Sequence, residues 1–218
     1  MRITHLGHAC VLVEMADSRL LVDPGTFAGD LSGVRDLDGV LFTHQHPDHL
    51  DQDRVPALVA DNPGARVLCD PGSLGVLASL GVEAAAHDGP TRVGDVTVTP
   101  VGEIHALIHD DIPRIPNVGV RLDADGEPSF FHPGDALDAE PGEVDVLAFP
   151  LQAPWQRSRE MVGFLRRFAA PHAVPVHDGL LQPRGRAIYL GQAESLGPEG
   201  TRIHDLAGEG ATEFAAGE

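Results

Sequence analysis

The chain has 218 residues, of which 42% are apolar and 22% charged. That length suits one domain, and that composition suits a globular protein with a buried core. Its 33 acidic residues stand against 15 basic ones for a net charge of −18, and every basic residue is arginine. Such a chain argues against nucleic acid or an anionic membrane as partner, because that binding rests on clustered Lys and Arg. Two cysteines, Cys10 and Cys69, are too few for a disulfide scaffold. The N-terminus lacks the apolar core of a signal peptide, and no stretch approaches the roughly 18 apolar residues of a membrane span. The expectation is a cytoplasmic protein acting on a small molecule, with homo-oligomer formation left open.

In chain order, Ala9 to Glu14 and Arg19 to Val22 read as a hairpin stopped by Asp23-Pro24-Gly25. Gly39 to Phe42 is a short buried strand that runs into Thr43-His44-Gln45-His46-Pro47-Asp48-His49. Gln52 to Asp61 has helical spacing, followed by strand Arg66 to Cys69, helix Ser73 to Leu80 and an alternating strand within Asp95 to Val101. A second hairpin, Val118 to Leu122 with Ser129 to His132, ends in Pro133-Gly134-Asp135, and this echo of the first hairpin hints at two similar halves. Strand Val144 to Phe149, helix Gln156 to Ala170, strand Ala173 to Val176 and helix Ala187 to Leu196 complete the pattern. Residues 1–207 are expected to form one domain, and the acidic stretch 208–218 is expected to fray.

The chemistry concentrates after Phe42. Three histidines and an aspartate, His44, His46, Asp48 and His49, crowd one loop at a strand end, where α/β proteins place functional groups. Imidazole with carboxylate is a ligand set for zinc, iron or manganese, whereas an ordinary turn would use Gly, Asn and Ser. His105, Asp135 and His177 each stand just past an apolar run. Singly each reads as a cap or a satisfied core residue; together, four strand ends delivering ligands to one rim would build a dinuclear site.

The Thr43 to His49 motif, followed in order by an isolated His, an Asp and a His, resembles the metallo-β-lactamase superfamily. Leu6-Gly7-His8-Ala9-Cys10, Val22-Asp23-Pro24, Gly134-Asp135 and Pro175-Val176-His177 are similar to a branch of small metal-dependent hydrolases related to L-ascorbate-6-phosphate lactonase. The resemblance implies an α/β fold, an αβ/βα four-layer sandwich of two mixed sheets flanked by helices. It also implies that His44, His46 and His105 hold one metal, that Asp48, His49 and His177 hold a second, and that Asp135 bridges them. Two ions roughly 3.5–4 Å apart would supply a bridging hydroxide near neutral pH and polarise a carbonyl or phosphoryl oxygen. The implied activity is hydrolysis of a small ester, lactone or phosphoester, with zinc the first choice of metal and manganese the second. Asp135 stands where the zinc β-lactamases carry cysteine, which argues against that activity.

Asp48 or a metal-bound water is the proton-donor candidate, and Asp23 is the candidate for orienting a ligand histidine. His8, His109 and Arg114 are candidates for substrate contact, with His105 preferred over His109 as ligand because it directly follows the apolar run. A mononuclear iron dioxygenase of the same fold would use fewer ligands and leave Asp48, His49 and His177 idle. A catalytically idle metal-binding module is the other rival. No G-x-x-x-x-G-K-[ST], G-x-G-x-x-G or G-x-S-x-G motif is present, so nucleotide cradles and serine hydrolases find no support.

Overall fold

The computed structural model describes residues 1–216. The first sheet contains β1 (Arg2–Gly7), β2 (Cys10–Met15), β3 (Ser18–Val22), β4 (Gly39–Phe42), β5 (Arg66–Cys69), β6 (Ala85–Ala86) and β14 (Ala211–Glu213), in the order β14-β1-β2-β3-β4-β5-β6. The second contains β7 (Thr91–Val93), β8 (Val96–Val101), β9 (Gly119–Asp123), β10 (Phe130–His132), β11 (Val146–Pro150), β12 (His172–Val176) and β13 (Arg202–Ile203), in the order β13-β12-β11-β10-β9-β8-β7. Both are mixed: β1, β2 and β3 run antiparallel, then β3 to β6 parallel, and β8 to β13 repeat that pattern.

Strand periodicity of two sorts the side chains into layers. Leu20 and Val22 of β3 join Val146 and Ala148 of β11 in the core between the sheets. Leu21, between them in sequence, faces the opposite way onto α1 (Val55–Ala60) and α2 (Ser73–Ser79). Leu147 and Phe149 likewise face α3 (Ser158–Phe168) and α4 (Pro183–Leu196). In α3 the buried residues Met161, Val162, Phe164 and Leu165 share one face at helical spacing, and the left-handed Ala169 ends the helix. The result is helices, sheet, sheet, helices, the four layers that the family resemblance implied.

Three departures stand out. Strand β1 lies beyond the first hairpin, hidden in sequence by polar Thr4 and His5. Helix α4 begins at Pro183, a favourable first-turn residue, four positions before Ala187. The stretch expected to fray instead places Ala211, Thr212 and Glu213 opposite Thr4, Ile3 and Arg2, with Phe214 buried behind them. An otherwise open edge of β1 recruits that strand. Residues 217–218 of the same stretch lie outside the described residues.

The sheets meet along one rim. The backbone N–H of His177 donates to the carbonyl of His8 at 2.8 Å, and that of Val118 donates to the carbonyl of Thr43 at 2.8 Å. His132 adds a side-chain link, its Nε2 donating to the carbonyl of Ala9 at 3.0 Å. Among the described residues, no helix is long and apolar enough to cross a membrane.

Candidate metal centre

Every sequence-predicted ligand reaches this rim. The loop after β4 brings His44, His46, Asp48 and His49; the segment after β8 brings His105; the turn after β10 brings Asp135; and the end of β12 brings His177. Two clusters form, one of His44, His46, His105 and Asp135 and the other of His8, Asp48, His49 and His177. In each, one ligand atom per residue lies within 4.8 Å of the others. Asp135 lies between them, its Oδ1 3.1 Å from His49 Nε2 and its Oδ2 3.3 Å from both His105 Nε2 and His177 Nε2.

The tight approach needs glycine at two places. A Cβ on Gly25 would fall 1.8 Å from the Asp48 carbonyl, and one on Gly134 would fall 2.6 Å from Thr43 Oγ1. Gly134 also has φ +62°, a region that L side chains rarely adopt. His8, Asp23 and His177 occupy the left-handed region too, at φ +55°, +48° and +57°. Such conformations cost about 1–3 kcal/mol each and persist only where the surroundings impose them.

Hydrogen bonds set the ring orientations. Nδ1–H of His49 donates to Asp23 Oδ2 at 2.7 Å, that of His105 to the Ala106 carbonyl at 2.7 Å, and that of His177 to the Gln152 carbonyl at 2.8 Å. Thr43 Oγ1 donates to Asp23 Oδ2 at 2.7 Å, so His44 Nδ1–H donates to Thr43 Oγ1 at 3.1 Å. In their neutral form all four rings therefore carry the lone pair on Nε2, the tautomer a metal requires. His44 Nε2 and His46 Nδ1 converge to 3.0 Å.

His8 is the reverse case. Its Nδ1 accepts the backbone N–H of Gly179 at 3.0 Å, so its Nε2 bears the proton and donates to Asp48 Oδ2 at 3.1 Å. Its position would allow it to be a ligand, but its tautomer makes it a donor.

The buried nitrogens His49 Nε2, His105 Nε2 and His177 Nε2 and the oxygen Asp135 Oδ1 make no hydrogen bond. Each such orphan costs about 1–3 kcal/mol unless something else meets it. Convergent orphans of imidazole and carboxylate fit divalent cations that prefer mixed nitrogen and oxygen ligands.

Electrostatics agree. Burial disfavours charge on His49 and His177, yet the Asp135 carboxylate outweighs it. With Asp23 it holds His49 well above the ordinary histidine value, and with Asp48 it raises His177 to about 9. Burial would raise Asp135 and Asp48, but the facing histidines hold both below the usual carboxylate range. Burial drives His44 well down. Without metal the cluster thus holds protons where cations would sit.

Of the remaining candidates, Asp23 is fully buried and accepts from Thr43 N–H at 2.8 Å as well as from the Thr43 hydroxyl and His49. His109 is exposed, and its Nδ1 accepts the Asp111 N–H at 3.1 Å, so the structure brings His105 and not His109 to the cluster. Arg114 donates from Nε to the His105 carbonyl at 2.7 Å. Two residues were illegible in sequence. Trp155 donates from Nε1 to Asp135 Oδ2 at 3.0 Å, and Asn117 Oδ1 accepts the Asp135 N–H at 2.9 Å. A lone Trp in a loop and a lone Asn before a strand carry no spacing signal.

Comparison with known proteins gives the chain its family. The family model for the beta-lactamase superfamily domain matches residues 2–177. Protein Rv0786c of Mycobacterium tuberculosis is 43% identical over 199 residues, covering 90% of this chain and 92% of its own. A UPF0173 metal-dependent hydrolase of Methylobacterium nodulans is 31% identical over 205 residues, covering 82% and 85%. In structure, the metallo-β-lactamase fold protein YhfI of Bacillus subtilis superposes with TM-score 0.72 at 17% identity, covering 94% of this chain and 95% of that one. The chain belongs to the metallo-β-lactamase superfamily.

Proposed function

We propose that the chain is a metal-dependent hydrolase that cleaves a small ester, lactone or phosphoester at a dinuclear centre. The observation that carries this reading is the set of four buried, unpartnered donor atoms on His49, His105, His177 and Asp135. His44, His46 and His105 would hold one ion, Asp48, His49 and His177 the other, and Asp135 would serve both. A divalent pair held there, zinc first and manganese second, would supply an activated water near neutral pH and would polarise the substrate oxygen. The relative named a metal-dependent hydrolase supports the same chemistry.

The chain's own residues supply orientation and proton control. Asp23 fixes the tautomer of His49 by accepting its Nδ1 proton. His8 donates to Asp48 and so holds that carboxylate in place and ionised; Asp48 would pass a proton to a leaving group only after taking one from the attacking water. A mononuclear dioxygenase would leave the buried Nε2 atoms of His49 and His177 without a purpose.

Metal content by mass spectrometry on protein purified without chelators, with turnover on ester, lactone and phosphodiester panels, tests the reading. The expected result is near two divalent ions per chain, about one in His177→Ala, and turnover on at least one panel. One iron per chain, unchanged in His177→Ala, would overturn it.

A further inference from the structure

Beside the metal centre lies an open cavity of about 890 Å³, within the usual size range of small-molecule sites. It abuts the cluster through Trp155, whose indole bonds Asp135, and through Ala106, whose N–H donates to the Asp135 carbonyl at 2.8 Å. Leu107, Ile108, Leu137, Phe164 and Trp155 give it an apolar wall. Leu107 is 51% exposed, a large area of aliphatic surface left uncovered at the mouth of a site.

Four of the chain's 15 arginines line this one cavity: Arg114, Arg157, Arg159 and Arg167. Arg167 is engaged by Glu140 and by the Leu137 and Ala139 carbonyls. The other three make no ion pair among the described residues, although the chain carries more than two acidic groups per arginine. Asp110, Asp138 and Glu160 also face the cavity. Glu160 is occupied by the Arg157 backbone N–H at 2.7 Å. Against three carboxylates the four arginines leave the lining with a net charge of +1, a local positive excess beside the metal centre on a molecule of charge −18.

We propose that the substrate is an amphipathic anion. Its reacting ester or lactone lies at the metal centre, its apolar body lies along Trp155, Leu107 and Phe164, and its carboxylate or phosphate end meets Arg114, Arg157 and Arg159. The guanidinium fork suits both anions, since each can accept two parallel N–H bonds. The reacting bond rests on the hydrolase reading above; the binding of the anion does not.

Trp155 is the only tryptophan in the chain, so its fluorescence reports occupancy of the cavity. The full-length, metal-loaded protein is titrated with hexanoate, hexyl phosphate and hexanol. Both anions should saturate, at least about tenfold tighter than hexanol, and should weaken as salt rises. The double variant Arg157→Ala/Arg159→Ala should weaken the anions about tenfold or more without affecting hexanol. Arg166→Ala, whose Nε bonds the Leu196 carbonyl away from the cavity, should change nothing. The tighter of the two anions identifies the headgroup.

No saturable response to either anion, equal binding of hexanol, or an unchanged double variant would overturn the proposal. So would anion binding that is lost in His177→Ala but kept in the arginine variant, because the anion would then sit on the metals. Hydrolysis separates the two readings. Neutral esters cleaved as fast as acidic ones would remove the substrate class alone, and anion binding without turnover on any ester would remove the reaction alone.

Discussion

Strands β1–β6 and β8–β13 repeat one pairing pattern, and each half places an aspartate just past its third strand, Asp23 after β3 and Asp135 after β10. The two carboxylates do opposite work. Asp23 accepts from Thr43 N–H, the Thr43 hydroxyl and His49, so the protein has filled its lone pairs. Asp135 receives only the Trp155 indole on Oδ2, and Oδ1 has no hydrogen bond. The same divergence recurs two strands further along each sheet. After β5, Asp70 is satisfied by Ser73 and the Gly72 N–H, whereas after β12 the matching position holds His177 with a bare Nε2. A carboxylate saturated with donors orients its neighbours; one left open is available to a cation.

Breaking that contrast gives the largest effect first. Asp135→Asn should lose both metals and lower kcat by roughly 10³-fold, as removal of a central charge-stabilising group does. His177→Ala, which removes one lone pair, should lose one ion and lower kcat by roughly 10²-fold. Asp23→Asn leaves every ligand present and should weaken metal affinity by about 10–100-fold through a misoriented His49. Metal titration with parallel turnover measurement orders the three, and an Asp23 variant as damaging as Asp135→Asn would erase the distinction.

The ends of β1 and β8 offer a finer comparison, since both deliver a histidine. His105 donates its Nδ1–H to a carbonyl and leaves Nε2 free; His8 accepts the Gly179 N–H on Nδ1 and presents Nε2–H to Asp48. His8→Ala should therefore keep near two metals and lose about tenfold in kcat, the scale of one charge-assisted hydrogen bond. His8→Gln, which retains an N–H donor, should recover part of it. Loss of a metal in either variant would make His8 a ligand.

The sequence made the elements and the ligand-bearing strand ends legible because both depend on local pattern: short apolar runs at β4 and β11, alternation in β8, helical spacing in α3, and a dense His/Asp run after β4; the four layers followed only from the resemblance to a known superfamily. What the sequence hid depends on distant partners. β14 exists because it covers the outer edge of β1, whose Arg2 pairs with Glu213 from the far end of the chain, and neither strand is apolar enough to announce itself. His8 was legible as a candidate for substrate contact, but its tautomer is fixed only by the Gly179 N–H, 171 positions away. Trp155 and Asn117 matter through single long-range bonds to Asp135, which no spacing rule encodes.

The mildest perturbation leaves every residue in place and changes only pH. In the metal-free protein His177 titrates at about 9 and His49 is held well above the histidine range, so at pH 7 both are charged against Asp135. Their unfolded value is about 6.5. Because the folded value is the higher one, the ion pairing stabilises fully below about pH 6.5 and is lost as pH rises toward 9. Chemical denaturation in excess chelator should therefore show a midpoint that falls across this window, while the metal-loaded protein, whose imidazoles are already neutral, should stay flat. Metal binding must displace the same protons, so calorimetry at pH 7 in buffers of differing ionisation enthalpy should report release of about two protons, and affinity should rise with pH. A metal-free midpoint that rises from pH 6.5 to 9 would mean that these histidines are neutral, with the two Nε2 atoms already poised to bind at pH 7.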